Sequence, residues 1–157
     1  MREFANFNFV VDEIIGDGNC LFRSLSQQRK ASQKYHYIYR QEICDFIENN
    51  PDLFNDMRIY LPYLLTDANI STNNLTIDQM FNIYVNQMRK NSTYGDQACI
   101  EAFSTLKNVS IRIFDPKLIL INTITPKNQQ LPSTRIINLI HIRGTIEHFQ
   151  SLNLIPK

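Results

Sequence analysis

The sequence carries almost no net charge, few cysteines and no long apolar run, and each shortage removes a class of function. Sixteen Lys and Arg against fifteen Asp and Glu leave a net charge of +1, so the basic stripe that binds nucleic acid through its phosphates is missing. No segment approaches the roughly 18 consecutive apolar residues that a membrane-spanning helix requires. The opening Phe/Val-rich stretch has only Arg2 as a charge before Val11 and is broken by Asn6 and Asn8, which does not match the n-region and h-region of a secretory signal. The three cysteines, Cys20, Cys44 and Cys99, are odd in number and widely spaced. That pattern suits neither a disulfide framework nor a close pair of zinc ligands, and reduced thiols are expected. Sequons begin at Asn69, Asn74, Asn91 and Asn108, but an Asn-rich chain produces them by chance. The expectation is a soluble, cytoplasmic protein with no membrane or nucleic-acid partner. Its richness in Asn, Ile and Lys suits an AT-rich genome such as that of a virus, parasite or endosymbiont, which would place it in a host cytosol.

What is present suits one globular domain over 1–157. Hydrophobic residues make up 43% and charged residues 20%, and a chain of this length buries about two-thirds of its unfolded surface. Gly16-Asp17-Gly18-Asn19 predicts a tight loop and Leu21 with Leu25 a helix beyond it, so Cys20 falls at a loop-to-helix junction. Tyr35, Ile38, Tyr39, Ile43, Phe46 and Ile47 predict a second helix, ended by Asn49-Asn50-Pro51. A further short helix is expected within 51–63 and a loop over 66–74. Ile77 to Met88 forms an apolar stripe headed by Thr76 and Gln79, the pattern of a capping box. Another helix follows Asp96 as N-cap, with Cys99, Ala102, Phe103 and Leu106 on one face. From Val109 the period becomes two, with Val109, Ile111 and Ile113 on one side. Leu118 to Ile121 and Ile136 to Ile142 read as buried strands separated by a Pro- and Gln-containing loop, and Arg143-Gly144 as a turn into a last strand carrying His148 to Leu152. Helices first and strands afterwards predict an α+β fold, a small central mixed or antiparallel sheet packed against a helical layer.

The chemistry centres on Cys20. A thiol at a helix N-terminus is expected to have a lowered pKa, because the aligned amides favour the thiolate. The Asp17-Gly18-Asn19 turn can aim backbone N–H groups at one point, as an oxyanion hole requires. Asp17 can equally bond its own turn. Three histidines could serve as base. His141 lies within an apolar strand and reads as structural, and His36 among tyrosines reads as packing. His148 follows Glu147 near the last strand, 128 residues after Cys20, in the Cys-then-His order of papain-like hydrolases. Spacing alone would leave the two unrelated. Cys44 and Cys99 fall on buried helix faces and read as small hydrophobes.

Three ordered segments change that judgement. Asp17-Gly18-Asn19-Cys20-Leu21-Phe22-Arg23-Ser24-Leu25 closely resembles the nucleophile motif of the ovarian-tumour (OTU) family of ubiquitin-directed cysteine proteases. Tyr94-Gly95-Asp96 with Glu101-Ala102, before the strand Val109 to Asp115, is similar to the turn and helix preceding that family's central strand. Glu147-His148-Phe149-Gln150-Ser151-Leu152 is similar to its terminal His-aromatic motif. Together they run from about Gly16 to Leu152, leaving 50–92 unaligned.

The resemblance implies a papain-like OTU domain, monomeric, that needs no metal and no organic cofactor. Its partners would be ubiquitin or polyubiquitin chains. Cys20 would attack the carbonyl of ubiquitin's C-terminal glycine with His148 as base, backbone around Asp17, Gly18 and Asn19 would hold the oxyanion, and water would hydrolyse the thioester. Where many members carry Asp or Asn two residues after the histidine, this chain has Gln150. Gln150 is the first candidate to orient His148; Asp12, Glu13 or Asn153 could instead replace it, or the enzyme could work as a weaker dyad. The alternatives are a ubiquitin-binding module that has lost turnover, or a protease for a ubiquitin-like modifier or a viral polyprotein.

Overall fold

The computed structural model describes residues 4–127, 135–144 and 147–157, and its chain order is β1 (Phe7–Asp12), α1 (Cys20–Lys30), α2 (His36–Asn49), α3 (Asn55–Ile59), α4 (Leu61–Asp67), α5 (Ile77–Met88), α6 (Gln97–Lys107), β2 (Val109–Phe114), β3 (Leu120–Ile124), β4 (Arg135–Ile142) and β5 (His148–Pro156). The helices begin where capping residues stand. Gln79 N–H donates to Thr76 Oγ1 at 3.1 Å and Thr76 N–H to Gln79 Oε1 at 2.8 Å, the reciprocal bonds of a capping box. Asp96 Oδ1 accepts Cys99 N–H at 3.2 Å, and Asn108, in the left-handed region at φ 52°, ends α6. The 51–63 region holds a 3-10 turn and α3, and α4 carries the helical path on to Asp67, into the expected loop.

The strands form one five-stranded sheet in the order β1-β5-β4-β2-β3. Every neighbouring pair is antiparallel except β2 and β4, which run parallel, so the sheet is mixed. One face packs under the helices. Ile111, Leu139, Ile137 and Phe149 meet Leu21, Leu25, Ile43 and Phe103 in the main core. The opposite face carries a second, smaller core of Phe4, Phe114, Ile140 and Leu152. Phe4, Phe9 and Phe114 pack edge to face there, with centroids 5.5–6.1 Å apart. The N-terminal segment therefore supplies an edge strand and a cover that sequence reading did not find, and burial on both faces explains the nearly continuous apolar run of β4.

One strand expectation is corrected. A buried strand over 118–121 is replaced by β3 at the sheet edge, with Ile119 46% and Ile121 49% exposed. An edge strand lacks a neighbour on one side, and Leu118 sits at φ 64° in the turn closed by Asp115. The expected loop between β3 and β4 falls mostly on 128–134, outside the described residues, as do residues 145 and 146 at the turn into β5.

Candidate active site

Cys20 is the first residue of α1 and is 2% exposed. Its sulfur lies 3.9 Å from Glu147 O and beside the N–H of Phe149, so it rests against the backbone on both sides of His148. The His148 ring lies next to Gly16: a Cβ placed on that glycine would lie 3.9 Å from His148 Cε1. The helical core that seats Leu21 and the register that sets β5 beside β4 thus bring together two residues far apart in the chain.

The expected fall in the thiol's pKa is overridden. Burial, the largest influence, pushes the Cys20 thiol above its ordinary range, the N–H groups of Phe149 and Leu21 pull it back only in part, and the Asp17 carboxylate pushes it further up. The helix end is still there, but desolvating a thiolate costs more than a few N–H groups return. Without substrate the thiol holds its proton at neutral pH, which makes a nearby base necessary for attack.

The loop before Cys20 is tightly bonded. Asp17 Oδ1 accepts Asn19 N–H at 2.9 Å, Asp17 O accepts Cys20 N–H at 3.1 Å, and Arg23 grips the Asp17 carboxylate through Nε and Nη2 at 3.0–3.2 Å. Burial alone would raise the Asp17 pKa, but the bonds from Arg23 and the Asn19 N–H, with the guanidinium charge, bring it below the usual carboxylate value. Asp17 therefore does bond its own turn, and Arg23 of the same motif completes the clamp. Among the described residues the Gly18 N–H has no hydrogen-bond partner. Gly18 is needed for space and not for a left-handed φ: a Cβ there would fall 1.7 Å from Ser92 O. Gly95 is also closely packed, since its Cβ would meet Leu21 Cδ2 at 2.5 Å. The Ser92–Asp96 turn is thereby pressed onto the nucleophile loop, and Tyr84 Oη donates to Asp96 Oδ2 at 2.6 Å to anchor it.

Gln150 lies two residues along β5 from His148, opposite Ile140 and on the same sheet face as His148. Its side chain makes no hydrogen bond among the described residues. Two of the alternatives face the other way. Asp12 Oδ2 accepts Ser151 Oγ at 3.1 Å and Asn153 Nδ2 at 2.7 Å, and Gln28 Nε2 donates to Ser151 Oγ at 2.7 Å and to Leu152 O at 3.0 Å. That network ties α1 to β5 beneath the helices. The Glu13 side chain is exposed, and its carbonyl accepts Gln33 Nε2 at 3.2 Å.

His141 is not enclosed in the apolar sheet interior. Its ring stacks on Phe149 at 4.4 Å and its Nε2 is paired with Glu147. Together with Gly95, Asp96 and Arg143 these residues line a cleft of about 460 Å³, and backbone atoms of Glu147 and Phe149 also lie against the Cys20 sulfur. His36 is half-buried, with a buried Nδ1 that has no partner among the described residues. Cys44 and Cys99 are free, wholly buried thiols on helix faces, and burial drives the Cys44 pKa up to about 12. Sequence reading missed Arg40, a charge on the otherwise apolar face of α2 shared with Ile43, Cys44 and Ile47. A cation on that stripe was the available signal.

The family model for OTU-like cysteine proteases matches residues 15–149. The chain belongs to the OTU-like cysteine protease family. Among curated relatives it is 29% identical over 156 residues to "Putative ubiquitin thioesterase 232R" of Invertebrate iridescent virus 3, covering 94% of this chain but 16% of that protein. The chain spans less than a quarter of that relative's length. Its fold is similar to the viral OTU domain protease of Farallon virus, with a TM-score of 0.70, 17% identity, and 97% of this chain and 87% of that one covered. It is also similar to the Hazara virus OTU bound to ubiquitin, with a TM-score of 0.60, 19% identity, and 98% and 86% covered. The OTU fold expected from the sequence is thus the fold observed, and members of the family are deubiquitinating enzymes. No helix among the described residues is long and apolar enough to cross a membrane.

Proposed function

We propose that this OTU domain is a deubiquitinase that cleaves the bond after ubiquitin's C-terminal glycine, with Cys20 as nucleophile and His148 as general base. The observation that carries the reading is the Cys20 sulfur, at the head of α1, lying against the backbone on either side of His148. A thiol kept protonated by burial passes its proton to His148 as substrate arrives. The thiolate then adds to the glycine carbonyl, and the oxyanion is received at the 17–20 loop, where the Gly18 N–H has no partner among the described residues. His148 returns the proton to the departing lysine amine, and water releases the thioester. The cleft lined by Glu147 and Phe149, whose backbone touches the Cys20 sulfur, is the candidate seat for an extended modifier tail.

Gln150, whose side chain makes no hydrogen bond among the described residues, supports a Cys20–His148 dyad in which the glutamine adds little orientation. Residues 1–157 act as one unit, working as a monomer in the cytosol without a cofactor. The test is incubation with ubiquitin bearing an electrophilic C-terminal group, beside Cys20→Ala and His148→Ala, read as a mass shift of one ubiquitin. Capture that depends on Cys20 is expected. Full cleavage by Cys20→Ala would refute the mechanism, and binding without capture would leave an inactive ubiquitin-binding module.

A further inference from the structure

Arg40 is 2% exposed in the middle of α2 and has no carboxylate within ion-pair distance among the described residues. A buried cation is costly to desolvate unless well-placed hydrogen bonds satisfy it. Its partners show where this one is directed. Nη2 donates to Asn19 Oδ1 at 2.7 Å and to Gly18 O at 3.3 Å, Nη1 donates to Met88 O at 2.8 Å, and the guanidinium lies 4.1 Å over the Phe22 ring. The same Asn19 Oδ1 accepts Ser92 N–H at 3.0 Å. One side chain therefore grips two consecutive residues of the loop before the nucleophile, and through Asn19 it holds the Ser92 turn closed over that loop. It also brings a fixed positive charge to the side of a site where negative charge forms on sulfur and then on oxygen.

From this geometry we infer that Arg40 is the positioning residue of the nucleophile loop: it acts through Gly18 and Asn19 to hold the 17–20 backbone in the shape that receives the oxyanion. Bonds to the Gly18 carbonyl and the Asn19 side chain keep both pointing into the protein, which leaves the opposite side of the loop to the substrate. Lysine would keep the charge but lose the planar fork that reaches Met88, Gly18 and Asn19 together.

The inference rests on the proposed deubiquitinase reading only for its kinetic consequence, so the test has two readouts. Arg40→Met, Arg40→Lys and Asn19→Ala are compared by amide hydrogen exchange and by turnover of a fluorogenic ubiquitin C-terminal amide. The bonded amides of Asn19 and Cys20 should exchange at least about tenfold faster while those of α5 and α6 stay within about threefold. The kcat should fall by about 10²-fold, the scale of one lost oxyanion contact, with KM little changed. Arg40→Lys should recover only part of the loss. Unchanged exchange at Asn19 and Cys20 would overturn the inference, and so would exchange raised equally throughout the core. If neither Arg40 variant folds, Asn19→Ala, which leaves the bond to Met88 in place, decides by the same criteria. If the unaltered protein does not turn over ubiquitin, the deubiquitinase reading fails and the exchange data still decide the role of Arg40.

Discussion

Replacing Gly18 with alanine is the sharpest test of how the nucleophile loop is built. The added Cβ would lie 1.7 Å from Ser92 O and 2.3 Å from Ser92 C, against the 3.0 Å below which real Cβ contacts essentially do not occur. The obstacle is backbone, so no rotamer change relieves it, and either the loop or the Ser92 turn must move by more than 1 Å. That movement also pulls at the bond from Ser92 N–H to Asn19 Oδ1, 3.0 Å long, and so at the Arg40 anchor. Overpacking of this kind costs about 1–3 kcal/mol. For a chain of this size that lowers the melting temperature by about 3–10 °C. The kinetic loss should be larger in proportion, since a displacement of about 1 Å at reacting groups costs on the order of 10²-fold in rate. Thermal unfolding followed by circular dichroism and kcat/KM on a fluorogenic ubiquitin amide measure the two effects. A Gly18→Ala protein with unaltered melting temperature and unaltered kcat/KM would refute the close seating of the Ser92 turn on the loop.

Three other outcomes are expected. Gln150→Ala should change kcat by less than about threefold, because the side chain makes no hydrogen bond among the described residues; a loss nearing the roughly 10⁴-fold seen when a triad's orienting residue is wrong would show that substrate binding recruits it. Stability should fall on acidification in two stages. Burial, helped by the nearby charge of Arg23, holds the His36 pKa below its ordinary 6.5, and the bonds from Arg23 and the Asn19 N–H outweigh burial to hold the Asp17 pKa below its ordinary 3.8. Both groups bind protons more readily when unfolded, so melting temperature should decline as pH drops below about 6.5 and again below about 3.8; His36→Gln should remove the first stage, and its persistence would assign that stage to another group. Phe4→Ala should cost about 3–5 kcal/mol, read by denaturant unfolding, because Phe4 closes the second core against Phe9 and Phe114; a loss below 1 kcal/mol would mean that the N-terminal cover is dispensable.

Much of this protein is written locally. The capping box at Thr76 and Gln79, the N-cap at Asp96 and the placing of Cys20 at the head of α1 depend on residues within a few positions of one another, and such short-range bonds can be read in one dimension. The alternation of Val109, Ile111 and Ile113 likewise marks the face of β2 that meets the helices. Other features exist only once distant segments meet. The cover of Phe4 and Phe9 over the outer sheet face, the Ser92 turn lodged against Gly18, and the grip of Arg40 on Asn19 join residues 20 or more positions apart. The raised Cys20 pKa belongs to the same class. Sequence predicts a helix end that favours the thiolate, but the depth at which the folded core buries that thiol decides the balance, because desolvation depends on everything packed around the sulfur.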